Sequence, residues 1–173
     1  NMACSNITAG LALDCNSSQG GVDKIFIANG PVESITEVDG LISAITVGGS
    51  ALAPADFFTF ETPRQTSSVN SDVAVDQANG TVVYNQNVTL VLNKLSAAKR
   101  NQILLMAEAT SMVVVVKTNS GKFFSIGIER GAFLGSATST TGTAYSDREG
   151  YELTISGIEE APMYEVTSTI VEA

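Results

Sequence analysis

Residues 81–92 alternate in character along the chain. Val82, Tyr84, Gln86, Val88, Leu90 and Leu92 point one way, and Val83, Asn85, Asn87, Thr89 and Val91 the other. The first face is the more apolar, as an antiparallel strand with one side against a core requires. Residues 151–158 repeat the pattern behind the charged turn Asp147-Arg148-Glu149-Gly150. Runs of β-branched and aromatic residues predict further strands at 22–28, closed by the turn formers Asn29-Gly30-Pro31, and at 57–62, with Pro63 interrupting. Residues 34–38 and 41–47 flank Asp39-Gly40, which supplies the positive φ angles of a hairpin turn. The strongest hairpin joins 112–118 to 122–128 through Asn119-Ser120-Gly121. A last strand is expected within 163–170.

One segment reads as helix, 96–109. Ser96 stands at the N-cap, and good helix formers follow from Ala97 to Glu108. Ile103, Leu104 and Ala107, with Met106, form its apolar side; Lys99, Arg100 and Gln102 form the wet one, so the helix should lie on a sheet. Two stretches lack a clear pattern. Residues 131–146, rich in Gly, Ala, Ser and Thr, are expected to be a loop. Within 48–80 a polar spacer, 67–72, separates the strand at 57–62 from a short one at 73–76. A connection that long is unusual, since about 12–15 structureless residues is already uncommon in a compact domain. The expected fold is therefore mainly β, one domain over 1–173, an antiparallel β-sandwich or barrel with one flanking helix and 48–80 as a possible extended arm between subunits.

Composition narrows the chemistry. Among 173 residues, 18 acidic and 9 basic side chains leave a net charge of −9, and no basic patch offsets it. Duplex DNA would be repelled unless such a patch existed. Histidine is absent, which removes the usual general base near neutral pH and the commonest transition-metal ligand. No catalytic residue, metal site or cofactor is expected, and the chain is not read as an enzyme. Cys4 and Cys15 could close a small loop in an oxidising compartment, but two free thiols are the plainer reading. Asn1-Met2 reads as one residue left by a cleaved tag before an initiator methionine. No signal peptide is visible and no apolar run approaches the ~20 residues of a membrane span, so a soluble protein made in the cytoplasm is expected.

The remaining motifs have ordinary readings. Glu159-Glu160 could do acid and base work, yet neighbours on a strand face opposite ways, and a solvated edge explains the pair. Arg148 could clamp a carboxylate, but local structure or a subunit contact suits a charged turn better. Gly127, Gly131, Gly135 and Gly142 form no phosphate cradle, because no Gly-Lys-Ser/Thr opens a helix. Four Asn-X-Ser/Thr triplets, at Asn6, Asn16, Asn79 and Asn87, are discounted in a Ser/Thr-rich chain without a leader. Phe57, Phe58 and Phe60 could stack on sugars or on a partner. With no tryptophan in the chain, core or subunit-interface packing fits them better.

From Thr89 to Thr154 the order of elements resembles a family of structural proteins of tailed bacteriophages. It comprises the strand ending Thr89-Leu90-Val91-Leu92-Asn93-Lys94-Leu95, the helix, the hairpin at Asn119-Ser120-Gly121-Lys122, a Gly/Ser/Thr loop, and Asp147-Arg148-Glu149-Gly150-Tyr151-Glu152-Leu153-Thr154. The opening Met2-Ala3-Cys4, with Asn6-Ile7-Thr8 and Leu11-Ala12-Leu13-Asp14-Cys15, resembles the N-terminus of that family. The likeness, weakest over 48–80, is to tail tube proteins (major tail proteins) or close virion relatives. It implies a virion component assembled in the host cytoplasm, whose rings, usually hexamers, stack into a hollow tube. The implied partners are further copies of itself and other tail or head-completion proteins, with DNA passing transiently and without specific binding, and no membrane. Phe57, Phe58, Phe60 and Arg148 are the oligomer-interface candidates. In tube proteins an extended loop reaches the neighbouring ring, the role expected of 48–80. The alternatives are a capsid decoration or head-tail joining protein and a surface carbohydrate-binding β-sandwich.

Overall fold

The computed structural model describes residues 7–15 and 19–172. Its strands are β1 (Val22–Asn29), β2 (Ser34–Val38), β3 (Leu41–Val47), β4 (Ser50–Ala51), β5 (Phe58–Glu61), β6 (Ser68–Asp76), β7 (Thr81–Asn93), β8 (Met112–Thr118), β9 (Phe123–Ile126), β10 (Phe133–Thr140), β11 (Gly150–Glu159) and β12 (Glu165–Val166). Among the described residues one α-helix, α1 (Ala97–Glu108), lies between β7 and β8. Among the described residues strand accounts for 49% and helix, with the two 3-10 turns counted, for 11%, which makes the fold mainly β as the alternating pattern predicts.

Two sheets form. The larger runs β2-β3-β12-β9-β8-β1-β5, with β4 added to β3, and the smaller runs β10-β11-β7-β6. Pairing is antiparallel apart from β12 on β3. The apolar positions of β7 and β11, among them Val88, Leu90, Leu153 and Ile155, meet Ile25, Ile27, Val114, Val116 and Ile126 of the larger sheet in one core. A second core lies on the far side of that sheet, where Phe26, Val113, Val115 and Phe123 meet Ile42 and Ile45 of β3. Because β3 belongs to the same sheet, its outer strands curl back over its centre. Strand β8 is therefore buried on both faces, which is why its valines run without polar interruption.

Helix α1 starts where its cap predicts, with the Ser96 hydroxyl accepting the Lys99 N–H at 3.2 Å. Its docking is narrower than expected: Met106 is buried and Ile103 packs on the core, whereas Leu104, Leu105 and Ala107 remain exposed.

Three expectations need correction. The expected loop 131–146 contains β10, an edge strand held by its ladder to β11 while most of its side chains are exposed. The polar spacer 67–72 enters β6, which pairs with β7 from Ser68 to Asp76 although only Val69 packs inward. The stretch 48–80 is thus not structureless: it holds β4, a 3-10 turn at Pro54–Asp56, β5 and β6. The expected final strand shortens to β12, followed by a 3-10 turn at Ser168–Ile170.

Candidate functional site

Strand alternation separates the three phenylalanines. Phe57, 8% exposed, packs into the second core beside Phe26 and is spent inside the subunit. Phe58 and Phe60 point the other way, opposite Ile27 and Ile25 of β1, toward the space between the sheets. There α1 stands off from β5 and leaves a groove. One end is a cavity of about 360 Å³ lined by Phe60, Leu92, Ile103, Met106 and Leu153. The other is about 260 Å³, lined by Ile27, Phe58, Phe60, Leu105 and Met112. Phe60, Gln102 and Met106 border both, so the two adjoin across these side chains. At the rim Phe58 is 62% exposed and Leu105 58% exposed. Along the groove β5 pairs with β1, and no strand among the described residues lies on its other edge.

Arg148 sits elsewhere, in a clasp of local contacts. Its guanidinium pairs with Glu152 at 3.3 Å, one helical-type spacing along the chain. Asp147 accepts the N–H groups of Thr143 and Ala144, and these bonds, Ala144 first, hold its carboxyl below the usual range. The Glu149 carbonyl accepts the Lys94 N–H at 2.7 Å, and Tyr151 donates to the Ser96 carbonyl. The charged turn thereby ties β11 to the entrance of α1. An exposed pair of this kind contributes little stability by itself.

The smaller sheet presents a second surface. Its outward face includes Asn70, Asp72 and Ala74 of β6, Asn85, Asn87 and Thr89 of β7, Glu152, Thr154 and Ser156 of β11, and Ser136 and Thr138 of β10, together with the partly exposed Ile158 and Phe133, while Val91 on the same side is buried. The strands place no Lys or Arg on that face. Both outer strands, β6 and β10, lack a further partner among the described residues. Neither carries the Lys or Pro that commonly blunts an open edge. From Ser71 to Val82 the β6–β7 hairpin is exposed on both faces, with Val73, Val75 and Val82 on the side that continues the core, while Val83, Tyr84 and Asn85 opposite are half-buried. Sequence reasoning missed this surface, although the absence of basic residues at every second position of β7 and β11 was its visible signal.

Glu159 overturns the solvated reading of its dyad. Only Glu160 is exposed, in an ion pair with Arg130; Glu159 is 3% exposed and accepts the N–H groups of Glu129 and Arg130 at 3.1 and 3.3 Å. Burial pushes its carboxyl above the usual range, partly offset by those two bonds. Gln86 lies beside it, donating to the Ala161 carbonyl and accepting the Gly127 N–H. Tyr164 donates to Glu129 at 3.3 Å. The space among Gln86, Glu159 and Tyr164 has no room for a water, so these groups brace the connection from β9 to β10 and leave no place for a substrate.

Cys15 is exposed, and its pairing with Cys4 lies outside the described residues. Among the described residues no helix is long and apolar enough to cross a membrane. Comparison with protein-family models, curated proteins and solved structures finds no match.

Proposed function

We propose that this chain is a self-assembling structural protein of the tail-tube kind, whose copies join side by side into rings that stack around a lumen. The observation that carries the reading is the four-stranded sheet with two open, unblunted edges and an outward face free of cationic side chains. Edges of different sequence, β10 on one copy and β6 on the next, make a head-to-tail contact, which closes into a ring when the rotation allows. The outward faces then become the inner wall. Asp72 and Glu152 give that wall an acidic character, and amides and hydroxyls share the rest of it with apolar side chains, Ile158 and Phe133 among them. A wall without Lys or Arg offers phosphate no anchor, so a duplex slides past it. The exposed half of the β6–β7 hairpin is the part of 48–80 suited to touch a neighbouring ring.

Size-exclusion chromatography and electron microscopy of concentrated protein test the proposal. Hollow rings or tubes are expected. Small oligomers that never stack would point instead to a capsid decoration or head-tail joining protein, and a monomer that binds glycans to a surface carbohydrate-binding sandwich; either result overturns the tube.

A further inference from the structure

Residues 7–13 carry an apolar pattern with nothing to bury it. In an extended chain Ile7, Ala9, Leu11 and Leu13 fall on one face, and Ile7, Leu11 and Leu13 are 96%, 101% and 99% exposed. Large aliphatic groups at full exposure and in strict alternation describe a strand without a sheet. The same subunit has a sheet edge without a strand. Along that edge, β5 borders the apolar groove against α1, whose two adjoining cavities measure about 360 and 260 Å³. Spaces of this size lie in or near the range of roughly 300–1,000 Å³ that binding pockets occupy.

We infer that residues 7–13 of one copy add as a strand to the free edge of β5 on a second copy, with Leu11 and Leu13 entering the groove beneath α1. Strand addition supplies both parts of the recognition: main-chain hydrogen bonds along the edge, and pockets for alternate side chains. The segment brings small residues, Thr8, Gly10 and Ala12, on its other face, so that side does not need a cover. Phe58 and Leu105 at the rim close over the incoming leucines, and Phe60 divides the groove into two places for them. Among the described residues of one subunit the segment is fully exposed and nothing fills the groove, which favours an exchange between copies. The contact rests on the self-association proposed above only in needing a second copy, since it uses neither β6 nor β10.

Disulfide trapping tests it. In a background with Cys4 and Cys15 changed to Ser, Leu11→Cys protein is mixed with Gln102→Cys protein under mild oxidation, at concentrations where the chain associates. A linked dimer is expected from this mixture and not from Leu11→Cys mixed with Thr138→Cys, which places its thiol on the smaller sheet. The double change Leu11→Asp and Leu13→Asp, made at exposed positions that leave the core intact, should weaken association roughly tenfold or more. The proposal is overturned if the mixture gives no link, or if one chain carrying both cysteines bridges only within itself at every concentration. Tubes by microscopy without the link would sink the strand exchange alone. The link without tubes would sink the tube alone.

Discussion

The Glu159 carboxylate accepts the Arg130 N–H at 3.3 Å from a position only 3% exposed. A buried carboxylate with two backbone donors is held in place by them and resisted by its own desolvation, and here desolvation is the larger effect. Raised above its ordinary value of 4.5, the group binds protons more tightly in the folded state. Its contribution to stability is therefore complete below pH 4.5 and is lost as pH rises through the folded value. Asp76 and Asp147, lowered by local hydrogen bonds, work in the opposite sense below pH 3.8. The Glu159→Gln variant should thus show a larger deficit in thermal midpoint against the parent at pH 4 than at pH 7. An equal or reversed deficit, followed by calorimetry across that range, would contradict the assignment.

Gly127 opens the turn that Glu159 braces. Its φ is +69°, and a side-chain carbon there would lie 2.3 Å from the Ala132 nitrogen. Both the left-handed backbone and the contact exclude a Cβ without movement of the turn. Gly127→Ala should lower stability by about 2 kcal/mol or more, beyond the ~1 kcal/mol left-handed cost alone. Denaturant titration checks this, and a loss below half that amount would mean the turn yields.

Two substitutions separate what starts α1 from what holds it down. Removing the Ser96 hydroxyl leaves the Lys99 N–H without its cap and should cost about 1 kcal/mol. Met106 is the one buried residue of the helix, so Met106→Ala should cost more, about 2–5 kcal/mol. If the capping change proved the more damaging, the helix would owe its place to its entrance and not to the core.

What the chain discloses depends on which face of an element meets a core. β7 and β11 were legible because Val88, Leu90, Leu153 and Ile155 alternate with polar neighbours. α1 was legible from Ser96 and the helix formers behind it. β10 was not, because Ser136, Thr138 and Ser139 bury nothing and are held by backbone pairing to β11. The polar start of β6 was hidden in the same way, by a ladder to β7 that no side-chain pattern reports. Glu159-Glu160 was misread although strand alternation applies to it directly: one of two neighbours at the end of β11 must face inward. Of the interface candidates, Phe58 and Phe60 were named from their aromatic character and line the groove beside α1. Phe57 was grouped with them until alternation turned it to the opposite core, and the open edges became visible only with the strand order.

The exposed hairpin offers a direct check on stacking. Changing residues 66–76 wholesale would remove β6 and with it Val69 from the core, so smaller changes are needed. Val73→Ser with Val75→Ser alters only side chains already more than half exposed, and the thermal midpoint should stay within a few degrees, as surface changes usually cost about 0.5 kcal/mol or less. Rings should still form while their stacking into long tubes is lost. Tubes of normal length by microscopy would remove the hairpin from the contact.

The polarity of the proposed inner wall gives the last prediction. Asp72 on β6 and Thr138 on β10 both face outward from the smaller sheet and are exposed, so lysine at either position should be tolerated. If the proposed assembly holds, no cation of this face meets a phosphate in the parent, and duplex DNA should be recovered free of the tubes at low salt. The Asp72→Lys, Thr138→Lys variant places two cations per subunit on the wall. A ring repeats them around the lumen, where low-dielectric surroundings concentrate the field. DNA should then be retained, and retention should fall steeply as salt rises, because each neutralised phosphate releases condensed counterions. Retention equal to that of the parent, in variant tubes of normal appearance, would show that this face lies outside the lumen.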